Sequence, residues 1–193
     1  CGMGRTGTWF GYQHAGILPD VVTLAKGLAS GVPIGACLAG GKAVGLFGPG
    51  NHGSTFGGNP LACRAALTTL ACMEEENLLA NADRMGRLIR EGVAENLRGL
   101  NGLVEIRGHG LMIGIEIVKP NEAQDHMGCY PADGALSALL QKKCFEAGLI
   151  LERGGRGGCV LRLLPSLLIS NAELEIFLDK FEQAMLAAGV KPV

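Results

Sequence analysis

The sequence predicts a mixed α/β fold in two parts joined by a long helix. Short apolar segments rich in β-branched residues alternate with glycine-rich loops in the first part, an amphipathic stretch follows, and paired strands precede two helices in the last part. Residues 1–75 are expected to form the end of an α/β domain, 76–98 a connecting helix, and 99–193 a smaller α+β domain.

Two strands and one helix are predicted in the first part. The apolar runs at 21–25 and 34–39 are typical of short strands. Asn59 carries a side chain that suits a helix N-cap, and Pro60 suits the first helical position. A helix is therefore predicted from Pro60 to about residue 73.

Spaced apolar residues and glycine turns predict the elements of the rest of the chain. These are a helix over 78–97, strands over 103–107 and 111–117, a helix over 132–147, two short strands flanking the turn 154–158, and a last helix over 171–188. The apolar positions of the first of these helices repeat at helical spacing, so one of its faces is expected to be buried.

Composition and charge exclude several classes of function. The 193 residues carry a formal net charge of −1 and no basic cluster with interleaved aromatic residues, which argues against nucleic acid or an anionic membrane as partner. No apolar run approaches the roughly 20 residues that span a bilayer. The seven cysteines form no C-x-x-C pair and lie mostly among apolar neighbours, so reduced core thiols in a cytoplasmic protein are expected. The four histidines lack metal-ligand spacing, and no metal is expected.

Lys26 is the first candidate for catalysis. It ends an apolar, β-branched run, and Gly27 breaks the chain directly after it. At such a strand end the backbone can aim the amine into a crevice, where desolvation lowers the pKa of the amine and makes it nucleophilic. A lysine of this kind can form a Schiff base with a carbonyl cofactor. The alternative is an ordinary strand-end lysine whose amine extends to water.

Two glycine-rich segments match nucleotide-binding motifs only in part. Residues 2–7 fit the pattern G-x-G-x-x-G, but no strand precedes them and the residues that follow start a helix poorly, so a tight loop is expected. Residues 48–55 are similar to a P-loop, but Ser54 stands where that motif has lysine, which argues against an NTPase. The backbone N–H groups of this loop and the hydroxyls of Ser54 and Thr55 suit one phosphate, and the alternative is a plain turn with a helix cap.

Arg162 is the second candidate, because it is a single charge within an apolar strand. A charge there is costly unless it is paired, and the planar guanidinium can grip a carboxylate with two hydrogen bonds. The sequence leaves two alternatives open, a carboxylate ligand or a structural ion pair with Glu116 or Glu152. Arg153 and Arg156 lie beside a glycine turn and are expected to be solvated or to make local contacts.

Four short motifs occur in order along the chain. They are residues 2–7, 19–20, 24–27 and 53–60, with the sequences GMGRTG, PD, LAKG and GSTFGGNP. Together they resemble the motifs of the fold-type I, class III aminotransferases, which use pyridoxal 5′-phosphate (PLP). The resemblance extends from residue 1 to about residue 189. It implies that 1–75 belong to the PLP-binding large domain and 99–193 to the small C-terminal domain.

The resemblance implies a role for each candidate residue. The lysine matching Lys26 carries PLP and moves a proton between the substrate α-carbon and the cofactor. The threonine matching Thr55 binds the PLP phosphate of the neighbouring subunit, and the serine matching Ser54 touches the substrate across the same interface. The arginine matching Arg162 binds the α-carboxylate of 2-oxoglutarate or glutamate. Shared active sites of this kind imply a homodimer.

The implied reaction transfers the terminal amino group of an ω-amino acid to 2-oxoglutarate, giving a semialdehyde and glutamate. Residues 31–39 and 52–63 resemble the acetylornithine aminotransferases of arginine biosynthesis, whereas 144–156 and 161–169 resemble the diaminobutyrate–2-oxoglutarate aminotransferases. The acetylornithine type is favoured, because the half that builds the cofactor site resembles it. A diaminobutyrate enzyme is the alternative, and a divergent subgroup and a mosaic of the two types both remain open.

The chain enters a family motif part-way, at Cys1. In the resembling enzymes the acidic partner of the pyridine nitrogen, a glycine-rich phosphate loop, an aromatic residue that stacks on the ring and a first substrate arginine lie upstream. The chain is therefore expected to be a C-terminal piece of a longer enzyme and to be inactive in isolation. The alternative is a non-catalytic fragment.

Overall fold

The computed structural model describes residues 1–96 and 103–190. Within it the chain forms two compact units, Cys1–Leu79 and Ala80–Val193. The mixed α/β fold predicted from the sequence is confirmed. The predicted end of the connecting helix and its boundary at 98–99 lie outside the described residues, so the predicted domain limits stay predictions.

The first unit is built on a small antiparallel pair of strands. Strand β1 (Val21–Leu24) pairs with β2 (Ala36–Ala39), and helix α1 (Pro60–Glu75) follows after a long loop. Both strands are shorter than predicted. The Asn59 side chain accepts a hydrogen bond from the Ala62 N–H at 2.9 Å, so the predicted N-cap of α1 is confirmed.

A short 3-10 helix, Lys26–Ala29, follows β1 directly and packs against α1. Its last two residues, Leu28 and Ala29, are buried together with Ala66 of α1. Burial of these apolar side chains anchors the segment. The end of β1 is therefore fixed by strand pairing on one side and by packing on the other.

The second unit is a four-stranded antiparallel sheet with a helical layer that shares its core. The helices are α2 (Leu78–Asn96), which begins at the unit boundary, α3 (Gly134–Glu146) and α4 (Asn171–Ala187), and the strands are β3 (Leu103–His109), β4 (Met112–Ile117), β5 (Glu152–Gly154) and β6 (Val160–Leu163). The strand order is β3-β4-β6-β5, with every neighbouring pair antiparallel.

The core of this unit follows from the periods of its elements. Ile113, Ile115 and Ile117 alternate along β4 and are all buried, as the two-residue period of a strand requires. Met85 and Ile89 of α2 lie one helical turn apart and join the same core. The predicted buried face of α2 is thus confirmed for its described part, and the opposite face of the sheet carries the charged residues Glu116 and Arg162.

The caps of the remaining helices follow from local sequence. Ser170 and Glu173 form a capping box at the start of α4, with the Ser170 N–H donating to Glu173 Oε2 at 2.8 Å. Gly148, with φ +82°, follows the end of α3, where the sequence predicted a stop. Asp133 caps the start of α3 by accepting from the Leu136 N–H at 2.9 Å.

The cysteines differ from the expectation in one respect. No disulfide forms among the described residues, but only Cys144 and Cys159 are buried, and four of the seven cysteines are exposed. The expectation that most of them are core thiols is therefore wrong. Apolar sequence neighbours do not predict burial here, because short strands and a one-sided helix alternate buried with exposed positions.

Candidate active site

Lys26 lies at the junction of β1 and the 3-10 helix, in an uncommon backbone conformation. Its φ is +48°, in the left-handed region, and Ala25 before it is fully extended. A non-glycine residue in this region costs about 1 to 3 kcal/mol and persists only where the surroundings impose it. The anchors on both sides of the junction supply that constraint, so the chain is held in a sharp change of direction at the lysine.

The amine of Lys26 is on the surface of the unit. Lys26 is exposed, as in the alternative of a strand-end lysine that extends to water. The crevice around the amine and its nucleophilic role stay predictions.

Asp20 fixes the start of β1, a role that the sequence analysis did not predict. Its carboxylate oxygen Oδ1 accepts a hydrogen bond from the Lys42 backbone N–H at 2.7 Å, and its carbonyl accepts from the Gly40 N–H at 2.7 Å. These two bonds close the end of β2 onto the start of β1. An aspartate beside a strand signals a turn contact of its carboxylate, but the sequence does not identify which N–H it binds.

Ser54 and Thr55 lie in the exposed loop before α1. Ser54 Oγ accepts a hydrogen bond from the Gly57 N–H at 2.9 Å, which leaves the hydroxyl proton of Ser54 available to a ligand. Thr55 is exposed and has no hydrogen-bond partner within the described ranges. The loop therefore offers two hydroxyl donors on one short segment.

The loop is ordered by contacts between its own residues. Asn59 Nδ2 donates to the Phe56 carbonyl at 2.9 Å, while the Asn59 side-chain oxygen caps α1. A side chain at Gly57 would have its Cβ 2.8 Å from the Cβ of Ser54, so this glycine permits the tight turn. The turn and the cap together fix where the loop enters the helix.

Arg162 belongs to the second unit, on the polar face of its sheet. It alternates along β6 with the buried Leu161 and Leu163, so its side chain leaves the core and is 43% exposed. Its Nη1 donates to Glu152 Oε2 of β5 at 3.1 Å. Of the two ion-pair partners considered from the sequence, Glu152 pairs with Arg162. Glu116 does not, because it is bound to other arginines.

Glu116 lies at the centre of a second charge cluster on the same sheet face. Arg107 bridges Glu116 and Glu105, and it donates to Glu105 Oε2 at 2.7 Å. Arg156 lies 3.7 Å from the other oxygen of Glu116. The hydrogen bond from Arg107 holds the pKa of Glu116 below its usual range, although partial burial opposes this shift.

The two remaining arginines are exposed, as expected, but their carbonyl partners lie 19 and 26 positions earlier in the chain, so these contacts are not local. Arg156 Nη2 donates to the Tyr130 carbonyl at 2.6 Å, and Arg153 Nη1 donates to the Gly134 carbonyl at 3.2 Å. Arg153 thus ties β5 to the first residue of α3, and Arg156 ties the turn after β5 to the segment before α3. These guanidinium groups therefore already bind protein carbonyls, unlike most of the Arg162 fork.

The donor set fits a phosphorylated aldehyde cofactor. A primary amine can bind an aldehyde carbon, and two hydroxyls on one loop can bind a phosphate. Lys26 supplies the amine and the Ser54–Thr55 loop supplies the hydroxyls, and both segments belong to the first unit. Among the described residues no group of histidine, cysteine and acidic side chains could hold a metal ion, and no helix is long and apolar enough to cross a membrane.

The described structure thus combines a strand-end lysine with a mixed α/β fold. The model of the family Aminotransferase class-III matches residues 1–185, nearly the whole chain. The chain therefore belongs to the class III aminotransferase family.

Relatives of two kinds are similar to this chain. The acetylornithine aminotransferase of Nitrosomonas europaea is 60% identical over 175 residues, which cover 91% of this chain and 40% of that protein. A diaminobutyrate–2-oxoglutarate aminotransferase of Rhizobium meliloti is 42% identical over 187 residues, which cover 97% of this chain and 39% of that protein. The chain thus spans about two fifths of the length of these curated relatives.

Solved structures of the family share the fold. The acetylornithine aminotransferase from Elizabethkingia anophelis superposes with a TM-score of 0.80 at 31% identity, covering 96% of this chain and 45% of that one. An ornithine aminotransferase from Toxoplasma gondii gives a TM-score of 0.83 at 30% identity, covering 97% of this chain and 42% of that one. The latter structure has partial occupancy of PLP at its active site.

Proposed function

We propose that the protein containing these residues uses PLP to transfer the terminal amino group of an ω-amino acid, of the N-acetylornithine or ornithine type, to 2-oxoglutarate. The observation that carries the proposal is Lys26, held in a left-handed conformation at a strand end. A strained residue over-determined by its surroundings is typical of a functional site. The names of the relatives support the reaction class.

Lys26 has two tasks in this proposal. With PLP bound, its Nζ would hold the cofactor, and the same amine would accept a proton from the substrate carbon and give it back. Bound PLP supplies the electron sink that makes this proton acidic. Strand pairing before Lys26 and apolar packing after it anchor the backbone from which the side chain extends.

Thr55 and Ser54 bind anionic and polar groups in the proposal. The free hydroxyl of Thr55 donates to the cofactor phosphate, and the Ser54 hydroxyl contacts the substrate. We propose that both act on the active site of a neighbouring subunit, which requires a homodimer. The exposure of both residues supports a role at such an interface.

Arg162 binds the α-carboxylate of the substrate in the proposal. Glu152 occupies only its Nη1, so the Nε and Nη2 donors can grip a carboxylate with two parallel hydrogen bonds. In this arrangement the first unit is the end of the PLP-binding large domain, and the second unit is the small C-terminal domain that supplies the arginine.

Two candidate functions differ in the amino donor. The higher identity to an acetylornithine aminotransferase, 60% against 42%, favours N-acetylornithine. The diaminobutyrate type is the second candidate, because matches of that type extend over 97% of the chain rather than 91%. In both cases 2-oxoglutarate is the amino acceptor.

The test is turnover by the PLP-loaded enzyme and its Lys26→Ala variant. Glutamate formation from 2-oxoglutarate is measured with N-acetylornithine, ornithine and 2,4-diaminobutyrate as donors. Lys26→Ala is expected to lose at least about 100-fold in kcat, since a positioned acid–base group contributes roughly 10²–10⁴-fold. Lys42→Ala, an exposed lysine of the same unit, is the control and should keep full turnover. Full activity of Lys26→Ala would contradict the proposal.

A further inference from the structure

The guanidinium of Arg162 lies against the backbone of Gly154, a neighbour on strand β5. An alanine Cβ at Gly154 would lie 2.6 Å from the Arg162 Cζ, 3.1 Å from its Nε and closer still to its Nη2. Atoms at such distances overlap, so the space that the fork occupies exists only because residue 154 has no side chain. The space beside the Gly154 backbone, which a side chain would fill, is thus the seat of the Arg162 guanidinium.

The seat leaves one edge of the fork available. Glu152, two residues before Gly154 on the same strand, accepts from Nη1 at 3.1 Å. Nε and Nη2 donate to no acceptor within the part of the chain that the structure describes. Because these two donors point in parallel, they form the edge that suits bidentate binding of a carboxylate.

We propose that Gly154 is a positioning residue for carboxylate recognition, which holds the Arg162 fork flat on β5 and presents its Nε–Nη2 edge to the substrate. This inference rests on the proposed function, in which Arg162 binds the α-carboxylate. Glu152 fixes the other end of the fork, and Gly154 fixes the plane in which the fork lies. Selection for a carboxylate-bearing acceptor then depends on a residue that never touches the substrate.

The backbone allows a clean test. Gly154 lies in a β-strand and is absent from the glycines with a left-handed φ, so alanine can adopt its conformation. The clash falls on the end of a flexible side chain, which can rotate away, so Gly154→Ala is expected to fold. Gly114 on β4 is the matched control. It is the register partner of Arg162 on the other side, and an alanine there would meet only Val160, at 3.2 Å.

The experiment measures binding of glutarate, a dicarboxylate without reacting groups, to the PLP-loaded enzyme by calorimetry, together with kcat and KM for 2-oxoglutarate. Gly154→Ala is expected to weaken glutarate binding and raise KM roughly tenfold, the loss of one charge-assisted hydrogen bond, while kcat at saturation stays within about twofold. Gly114→Ala should leave both constants unchanged. In an Arg162→Gln background Gly154→Ala should have no further effect, because the two residues act through one contact.

The results separate this inference from the proposed function. If Arg162→Gln weakens glutarate binding and Gly154→Ala leaves it unchanged, the role of Gly154 is overturned and that of Arg162 stands. Unchanged binding in Arg162→Gln would overturn the role of Arg162 and the inference with it. Equal losses in Gly154→Ala and Gly114→Ala, or additive losses in the double variant, would show a general effect on the sheet and contradict a specific seat.

Discussion

The contact between helix α2 and the turn that joins β3 to β4 predicts an unusual response to a glycine-to-alanine change. An alanine Cβ at Gly86 would lie 2.8 Å from the Gly110 Cα and closer still to the carbonyl group of Gly110. Arg90, one turn further along α2, donates to the same carbonyl at 3.3 Å. The backbone of α2 therefore lies directly against the backbone of the turn, and position 86 has room only for glycine.

The magnitude follows from two opposing terms. Glycine to alanine inside a helix normally stabilises a protein by about 1 kcal/mol. At Gly86 the obstacle is backbone, which cannot rotate away, so the overpacking cost lies near the upper end of the usual range, about 3 kcal/mol. Gly86→Ala is therefore expected to lower the free energy of unfolding by about 2 kcal/mol.

Gly92 in the same helix is the matched control. An alanine Cβ there would lie 2.6 Å from Cδ1 of Leu178, the end of a flexible side chain. Rotation of Leu178 costs about as much as the gain in helix propensity, so Gly92→Ala is expected to change the free energy of unfolding by less than about 1 kcal/mol. The two variants add the same methyl group to the same helix, against backbone at Gly86 and against the end of a side chain at Gly92.

Urea unfolding monitored by circular dichroism measures both variants. With a slope of about 2 kcal/mol per molar urea, Gly86→Ala should lower the unfolding midpoint by about 1 M, and Gly92→Ala should leave it nearly unchanged. A Gly86→Ala variant as stable as the parent protein, or more stable, would refute the close approach of α2 to this turn.

Two further predictions concern titratable groups. Burial raises the pKa of Cys144 to about 11, so at about pH 8 its thiolate is roughly 100-fold scarcer than that of an ordinary cysteine. Iodoacetamide should therefore alkylate Cys144 at least about tenfold more slowly than the exposed Cys72, as measured by peptide mass spectrometry. Equal rates of alkylation would contradict the burial of Cys144. Glu116 has a lowered pKa, so at acid pH the folded protein binds fewer protons than the unfolded chain. The bond to Arg107 therefore stabilises the fold fully above the ordinary pKa of 4.5. This stabilisation is lost as the pH falls through the lowered pKa. Glu116→Gln should lower the free energy of unfolding by about 1 kcal/mol at neutral pH, a modest figure because Arg107 is about half exposed, and by almost nothing once the pH lies below the lowered pKa of Glu116; an effect that does not depend on pH would contradict the ion pair.

The elements that local chemistry determines could be predicted from the sequence. Asn59 caps α1 through a bond to a residue three positions later, and Ser170 caps α4 in the same way. The alternation of isoleucines in β4 and the helical spacing in α2 likewise predict which faces are buried. Each of these signals acts over a few residues, so it does not depend on the rest of the fold.

Contacts between distant residues could not be predicted. The bond of Asp20 to the Lys42 N–H spans 22 positions, and nothing near Asp20 marks its partner. The choice of Glu152 over Glu116 as the partner of Arg162 depends on strand order and register. Strand β6 lies between β4 and β5, and the register places Glu152 opposite Arg162 but Glu116 opposite Val160. The seat at Gly154 depends on the same strand order.

The central claim is that Lys26 is the residue that binds the cofactor. The most direct measurement is reduction of the PLP-loaded enzyme with borohydride, followed by peptide mass spectrometry to locate the pyridoxyl group among its lysines. The proposal predicts selective labelling of Lys26, with Lys42, Lys119 and Lys142 unmodified. Labelling of another lysine in preference to Lys26, or equal labelling of all of them, would contradict it.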